Sequence, residues 1–210
     1  MKKLAIIGSG DLGRLIAYHA IQDNQFQVVG FVDDYLKPGS SVDNIKILGK
    51  ILDLEKLYMK EVFDFVICGI GYKHLAFRES LFKRLKDKLN FANLIHSSCY
   101  VDASCNIGKG IFILPGSVID HNVTIENNVV LNVSTTICHD SLIGAHSFIS
   151  AKVAVAGFVT IGKRCNIGIN STIIDNINIT DDVQTGGGTV VNEDLINKGL
   201  YVGNPSRFIR

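Results

Sequence analysis

The chain has 210 residues, with 21 basic and 20 acidic side chains, a formal net charge of +1 and 47% hydrophobic content. Charge so balanced gives no field to recruit nucleic acid or an anionic membrane, and no apolar run approaches the ~20 residues of a membrane span. The length admits one large domain or two small ones, with enough apolar residues for a real core.

The opening MKKLAIIGSG has a signal peptide's charge but too short an apolar segment. It reads as a first strand, Lys3 to Ile7, running into Gly8-Ser9-Gly10-Asp11-Leu12-Gly13 and a helix that carries Leu15, Ile16, Tyr18 and His19. Gln27 to Val32 is a second strand, ending at Asp33-Asp34. Ile45 to Leu48 is a short strand and Leu54 to Met59 a short helix. Phe63 to Cys68 is a strand closed by Gly69-Ile70-Gly71, followed by a helix from about His74 to Leu89 and a strand near Phe91 to Ile95. Strands alternating with helices predict a parallel α/β sheet over residues 1–94.

Gly8, Gly10 and Gly13 match GxGxxG, and Asp33 lies 20 residues past Gly13. Glycines there let backbone approach a phosphate at a helix N-terminus. A dinucleotide needs a second mononucleotide half, for which the α/β part leaves little room. The loop therefore suits another nucleotide's diphosphate, or is a tight turn that binds nothing. Ligands of open α/β sheets sit beyond the strand carboxyl ends. The loops at Gly8–Gly13, Asp33-Asp34 and Gly69–Gly71 are thus expected to line one cleft. Lys73 and Arg78 lie just beyond, either meeting phosphate or sitting on a solvated helix face.

From Ile95 the pattern changes. Every sixth residue is aliphatic: Ile95, Val101, Ile107, Ile113, Ile119, Ile125, Leu131, Ile137, Ile143, Ile149, Val155, Ile161, Ile167, Ile173 and Ile179. The residue four places on is mostly small or β-branched, as at Ser117, Thr135, Ser141, Ser147, Cys165 and Ser171. A strict period of six is neither helical nor a simple strand alternation, and a β-sandwich would need turns every ~8–12 residues. The period, held from Ile95 to Ile179, predicts a hexapeptide β-helix in a domain spanning 95–210 that ends in a C-terminal tail, three hexapeptides per triangular coil, with 18 residues between stacked positions. The aliphatic residue points to the axis.

The five cysteines are odd in number and form no CxxC, which suits a reducing cytoplasm. Cys99, Cys105 and Cys165 fall at the small-residue position and are expected to be core thiols. His121 and His139 are 18 residues apart and should share a corner, with His146 on the next. At a corner His139 and Asp140 can both project outward, so that Asp140 orients the imidazole or is simply solvated. The histidines do not stand at a metal-ligand spacing on one element, so no metal is expected. Gly186-Gly187-Gly188 follows the last regular repeat and leaves backbone open to a long ligand.

An N-terminal GSGDLGR turn, an FVDD strand end, a hexapeptide array with an HD pair, then GGGTVV and VGNPSR together resemble the sugar acyltransferases of the left-handed β-helix superfamily. More narrowly the chain resembles bacterial nucleotide-amino-sugar N-acetyltransferases of glycan and O-antigen synthesis. The sialic acid O-acetyltransferases share the architecture. The left hand comes from the resemblance alone, because the general rule favours right-handed crossovers. The resemblance implies a cytoplasmic homotrimer that transfers an acetyl group from acetyl-CoA to the 4-amino group of a UDP- or dTDP-linked 4-amino-4,6-dideoxyhexose. In it His139 is the base, Asp140 the acid beside it and Asn132 an active-site asparagine. Gly157 contacts the thioester, while Gly168, Gly187, Pro205 and Arg207 belong to the CoA channel. Gly8, Ser9, Gly10, Asp33, Asp34 and Gly71 hold the nucleotide sugar. Some relatives carry a second histidine, touching CoA, nine residues after the base, where this chain has Phe148. Sugar O-acetylation and non-catalytic nucleotide-sugar binding are the alternatives. Cys138 beside His139 is not expected to act as a nucleophile.

Overall fold

The computed structural model describes all of residues 1–210. The chain divides into two compact units, Met1–Leu94 and Ile95–Arg210.

In the first unit β1 (Lys3–Ile7), α1 (Asp11–Gln22), β2 (Gln27–Val32), β3 (Ser41–Val42), β4 (Ile45–Gly49), α2 (Leu54–Met59), β5 (Phe65–Cys68) and α3 (Leu75–Leu85) build one five-stranded sheet, in the order β3-β4-β2-β1-β5. β1 is buried from Leu4 to Ile7 and pairs in parallel with both β2 and β5. That is why its sequence is an unbroken apolar run rather than an alternation. β3 was not foreseen. It pairs antiparallel with β4 through Asp43-Asn44, both at positive φ, the conformation that a tight primed hairpin turn demands. α3 begins after a 3₁₀ turn at Tyr72–His74 and ends at Leu85, four residues before the expected Leu89. The expected last strand is an isolated bridge at Phe91 and then Leu94–Ile95.

The second unit is a left-handed parallel β-helix. Its two-residue strands form three sheets in which neighbours are 18 residues apart, as Ile119 beside Ile137 beside Val155. The sixth-residue aliphatics fill the axis, and Ile119, Leu131, Ile137, Ile143, Ile149 and Ile161 have no solvent exposure. The small residues do more than save space. Ser117, Ser141 and Ser147 donate Oγ–H to the carbonyls of Asn132, Ala156 and Gly162, 15 residues on, at 2.9–3.1 Å. Cys99, Cys105 and Cys165 point Sγ at carbonyls with the same offset. Only Cys165 is fully buried, its thiol pushed up to about 12 by desolvation. Cys99 and Cys105 are half-buried in the first coil.

A second period of six runs beside the first. Every corner from Gly110 to Gly188 holds one residue at φ between 54° and 75°. Glycine or asparagine, the residues that tolerate that region, occupy Gly110, Gly116, Asn122, Asn128, Asn170, Asn176 and Gly188. The solenoid also outlasts the expected last repeat. Thr185 takes the axial position after Ile179, and Val191, Leu195 and Tyr201 close the core beyond the glycine triplet.

Candidate functional site

Each unit gathers chemistry-bearing groups at one place. In the first, β1 ends between β2 and β5, with Ile7 opposite Val32 on one flank and Cys68 on the other. The three expected loops therefore meet. A cavity of about 300 Å³ opens there, lined by Gly8, Val32, Asp33, Asp34, Tyr35, Ile51, Ile70, His74 and Phe77.

The three glycines of the loop have three different reasons. Gly8 takes φ +92 to turn the chain, and a Cβ on Gly13 would sit 2.0 Å from the Gly8 carbonyl oxygen, so α1 can only pack this closely without one. A Cβ on Gly10 would meet nothing within 4 Å. Gly10 caps α1 without a side chain, leaving first-turn N–H groups for an anion. Ser9 is buried beneath the loop. Its N–H and Oγ–H both donate to Asp33 Oδ2, at 2.9 and 2.7 Å, while Asp33 Oδ1 accepts from Tyr35 N–H at 2.9 Å. Burial opposes the charge on Asp33, but these donors outweigh it and hold the carboxyl below its usual range. Asp34 Oδ1 accepts from Ile51 N–H at 2.8 Å. Of the expected substrate contacts, Gly8, Asp33 and Asp34 line the cavity, Gly10 and Gly71 face open space, and Ser9 supports from below.

Arg78 fits neither sequence expectation. It is 1% exposed and donates to the Cys68 and Ile70 carbonyls at the end of β5, holding the loop from inside the fold. The cavity's apolar walls, Ile51, Ile70 and Phe77 with the exposed Tyr35, carry no sequence signal of their own, because apolar residues at the ends of strands and helices read as core.

In the second unit the Ile119, Ile137 and Val155 strands lead into one corner, where His121, His139 and Gly157 stack at 18-residue steps. The two imidazoles are stacked, centroids 5.3 Å apart and planes 15° from parallel. Asp140 Oδ2 lies 3.0 Å from His139 Nδ1, and its Oδ1 accepts from Asn122 Nδ2. The Asn122 bond first and the His139 bond second hold the Asp140 carboxyl below its usual range. An ionised carboxylate only accepts, so in the neutral imidazole the proton belongs on Nδ1 and the lone pair on Nε2.

That nitrogen lies against Gly157. A Cβ there would stand 2.6 Å from His139 Cε1 and 2.8 Å from Nε2. The Gly157 carbonyl accepts from Asn176 N–H, while its own N–H has no acceptor in the chain. Phe158, half-exposed and at φ +59, sets its ring edge-on to His139 at 5.1 Å. Cys138 is a poor nucleophile, its thiol pushed up by burial and by Asp120.

Spacing along one element does not capture what the coils of a solenoid stack together. Stacked coils bring ligand atoms of His121, His139 and Asp140 within 4.8 Å of one another. Both Asp140 oxygens already face N–H donors, an arrangement that serves an imidazole.

Asn132 is not at this corner. It stands on the one that follows the Leu131 strand, its Oδ1 accepting from Val133 N–H at 2.7 Å. Above it at 18-residue steps come Ser150, Gly168 and Gly186, a column whose side chains shrink to nothing. Gly168 has a packing reason of its own, because a Cβ would lie 2.5 Å from the Thr185 carbonyl oxygen. Gly187 lies over Ile169. Pro205 follows a cis peptide bond, and exposed Arg207 opens the last short strand. Phe148 is 7% exposed and has no polar group to offer a ligand.

A hexapeptide β-helix with an outward Asp–His pair, joined to an α/β unit with a ligand-sized cleft, defines the class: a hexapeptide-repeat sugar acyltransferase. Residues 3–85 match the family model of the PglD N-terminal domain. The whole chain is similar to the acetyltransferase domain of PglB from Neisseria gonorrhoeae FA1090, with 26% identity, full coverage of both chains and a TM-score of 0.91. It is similar to PerB from Caulobacter crescentus, solved with CoA and GDP-perosamine, with 25% identity, 100% and 98% coverage and a TM-score of 0.91. WeeI from Acinetobacter baumannii AYE shares the fold at 18% identity, with full coverage of both chains and a TM-score of 0.66. No curated protein sequence matches. No helix is long and apolar enough to cross a membrane.

Proposed function

We propose that the chain is an acetyl-CoA-dependent N-acetyltransferase acting on the 4-amino group of a nucleotide-linked 4-amino-4,6-dideoxyhexose. The observation that carries this is the His139 corner. An Asp-held imidazole directs a lone pair to the point where Gly157 leaves out its side chain and offers an unpartnered N–H. The solved complex of PerB with CoA and GDP-perosamine supports the substrate class. The α/β cleft holds the nucleotide, with Ile51, Ile70 and Phe77 against the flat base and Gly8 and Gly10 beside the diphosphate.

Acetyl-CoA supplies the activated acyl group. His139 Nε2 accepts the proton that the amine loses as its C–N bond forms, a contribution of ~10²–10⁴-fold. Gly157 N–H stands where the carbonyl oxygen gains charge. His139 then returns the proton to the departing sulfur as the C–S bond breaks, so no covalent acyl-enzyme is needed. Asp140 holds the imidazole in one tautomer throughout.

His139 and Asn132 occupy different corners of the triangular coil, seven residues apart along one side, on the order of 20 Å of extended chain. A homotrimer in which neighbouring copies face corner to corner would bring both to one centre, with the glycine column of Gly168 and Gly187 along the CoA.

The test is a CoA-release screen over UDP-, dTDP- and GDP-linked 4-amino sugars, followed by product mass before and after mild base. An amide survives and an ester is cleaved, which separates N- from O-acetylation. Nucleotide-sugar binding without any CoA release would leave only a binding protein.

A further inference from the structure

A ladder of hydrogen bonds climbs the His139 corner and ends on Asp140. Tyr100 Oη–H donates to Asp102 Oδ2 at 3.1 Å, and Ser104 N–H and Oγ–H donate to Asp102 Oδ1 at 2.9 and 2.6 Å. Ser104 Oγ in turn accepts from Asn122 N–H, 18 residues on, at 2.7 Å. Asn122 Nδ2 then donates to Asp140 Oδ1, another 18 residues on. A carboxylate cannot donate, so this contact fixes the amide's orientation. Asn122 also sits at φ 58, a conformation that asparagine and glycine tolerate.

We propose that Asn122 is a positioning residue for the acyl transfer: it anchors the free oxygen of Asp140, and Asp140 thereby holds His139 as the Nδ1–H tautomer with Nε2 aimed outward. Without Asn122 the Asp140 carboxylate would have one partner instead of two. It could then rotate about χ2 and release the imidazole. The groups that face Asp140 are His139 and Asn122, with His121 one coil back at the same corner. The Asn122 bond is also the largest of the contacts that hold the Asp140 carboxyl below its usual range, so one contact favours its charged form and fixes its direction. This rests on the proposed acyl transfer for its kinetic readout alone, since the tautomer is a property of the protein without substrate.

The experiment uses the full chain and two variants. Asn122→Gly removes the amide at a backbone angle that glycine accepts. Asn122→Asp keeps the shape and places a second carboxylate against Asp140. Long-range ¹H–¹⁵N spectra of ¹⁵N-labelled protein report the His139 tautomer, its signal assigned by its loss in His139→Ala. With the imidazole neutral, the wild type should show Nδ1–H alone and both variants a mixture of tautomers. On acidification the two carboxylates of Asn122→Asp come to share a proton. That proton restores a donor to Asp140, so the kcat of Asn122→Asp should rise relative to Asn122→Gly as pH falls. If the acyl transfer is assigned correctly, Asn122→Gly loses roughly tenfold or more in kcat, as orienting partners of histidines do, with both KM values unchanged. A merely structural role for Asn122 would lower the melting temperature and leave the tautomer alone. An unchanged Nδ1–H tautomer in either folded variant overturns the proposal. Altered tautomers with no acetyl transfer to any nucleotide sugar would leave it standing and overturn the proposed function instead.

Discussion

Adding one methyl group at Gly157 is the sharpest test of the His139 corner. Non-bonded carbon atoms rest at about 3.5–4.0 Å, while the new Cβ would stand 2.6 Å from His139 Cε1 and 2.8 Å from Nε2. The deficit is about 1 Å. Gly157 lies outside the left-handed φ region, so its backbone accepts alanine and the ring must yield. It can, because the His139 side chain is 39% exposed and has solvent to move into. Moving costs its 3.0 Å contact with Asp140. A displacement of ~1 Å at a reacting group can cost ~10²-fold in rate. Gly157→Ala should therefore lose about a hundredfold in kcat. Gly157 is itself buried, so some stability should go as well, at most the ~1–3 kcal/mol usual for overpacking, and less if the exposed ring swings clear. Both KM values should move little, because neither substrate's binding depends on the imidazole's aim. Steady-state kinetics with thermal unfolding of the same preparation decides it. A folded Gly157→Ala protein with wild-type kcat would refute the claim that His139 works against this glycine.

The other expectations concern residues the structure now separates. His139→Ala should lose ~10²–10⁴-fold in kcat with binding of both substrates intact, Asp140→Asn less, and His121→Ala least, because His121 stacks on the base without holding it; kcat against pH for the folded variants ranks them. Gly10→Val should raise the nucleotide-sugar KM and leave the acetyl-CoA KM nearly alone, since a Cβ there meets nothing in the protein. Gly13→Ala should instead lower the melting temperature, since its Cβ would lie 2.0 Å from a backbone oxygen. Asp33 is held below its usual pKa in the folded state, so its contribution is present above the unfolded value of about 3.9 and lost as pH falls through the folded one. Asp33→Asn should therefore melt below the wild type at pH 7, and melting curves from neutral to acid should show the gap close below about pH 4; a gap that persists there would mean that charge is not what Asp33 contributes.

The periodic parts of this chain were legible and the exceptions to the period were not. β1, β2 and α2 begin and end at the expected residues because each is a single apolar or amphipathic run with turn residues on both sides. The fifteen axial aliphatics announced the solenoid, but Thr185 at the next axial position hid the coil that follows. Arg78 was misplaced because helical spacing says which face a residue takes and not what lies beneath it. Here the carbonyls ending β5 lie beneath it, and they take up a guanidinium that would otherwise be too costly to bury. The His139–Asp140 contact was open to either reading in the sequence, since its distance depends on how sharply the corner bends. Asn122 carries no local motif, because its partner is 18 residues away, although the period itself says that such residues touch.

A solenoid of this kind has few places to put chemistry. Its axial positions must be aliphatic, and its small positions must satisfy corner carbonyls. The outward corner residues are left, and 18-residue stacking turns each corner into a column. A site there is assembled by what successive coils place in the same column: an imidazole at His121, a second at His139, then no side chain at all at Gly157. The neighbouring column runs Asn122, Asp140, Phe158 and Asn176, all at positive φ. Three of the four residues are types that accept that backbone, and Phe158 is not, since the left-handed region costs an ordinary side chain about 1–2 kcal/mol. The cost falls at the one coil where the ring can stand edge-on against His139, beside the notch left by Gly157. Ser134, His146, Lys152 and Arg164 take the same backbone in the other columns, so it is the ring contact with His139, and not the backbone angle, that sets Phe158 apart. The His139 imidazole is thus held at Nδ1 by Asp140 and packed by the edge-on ring of Phe158.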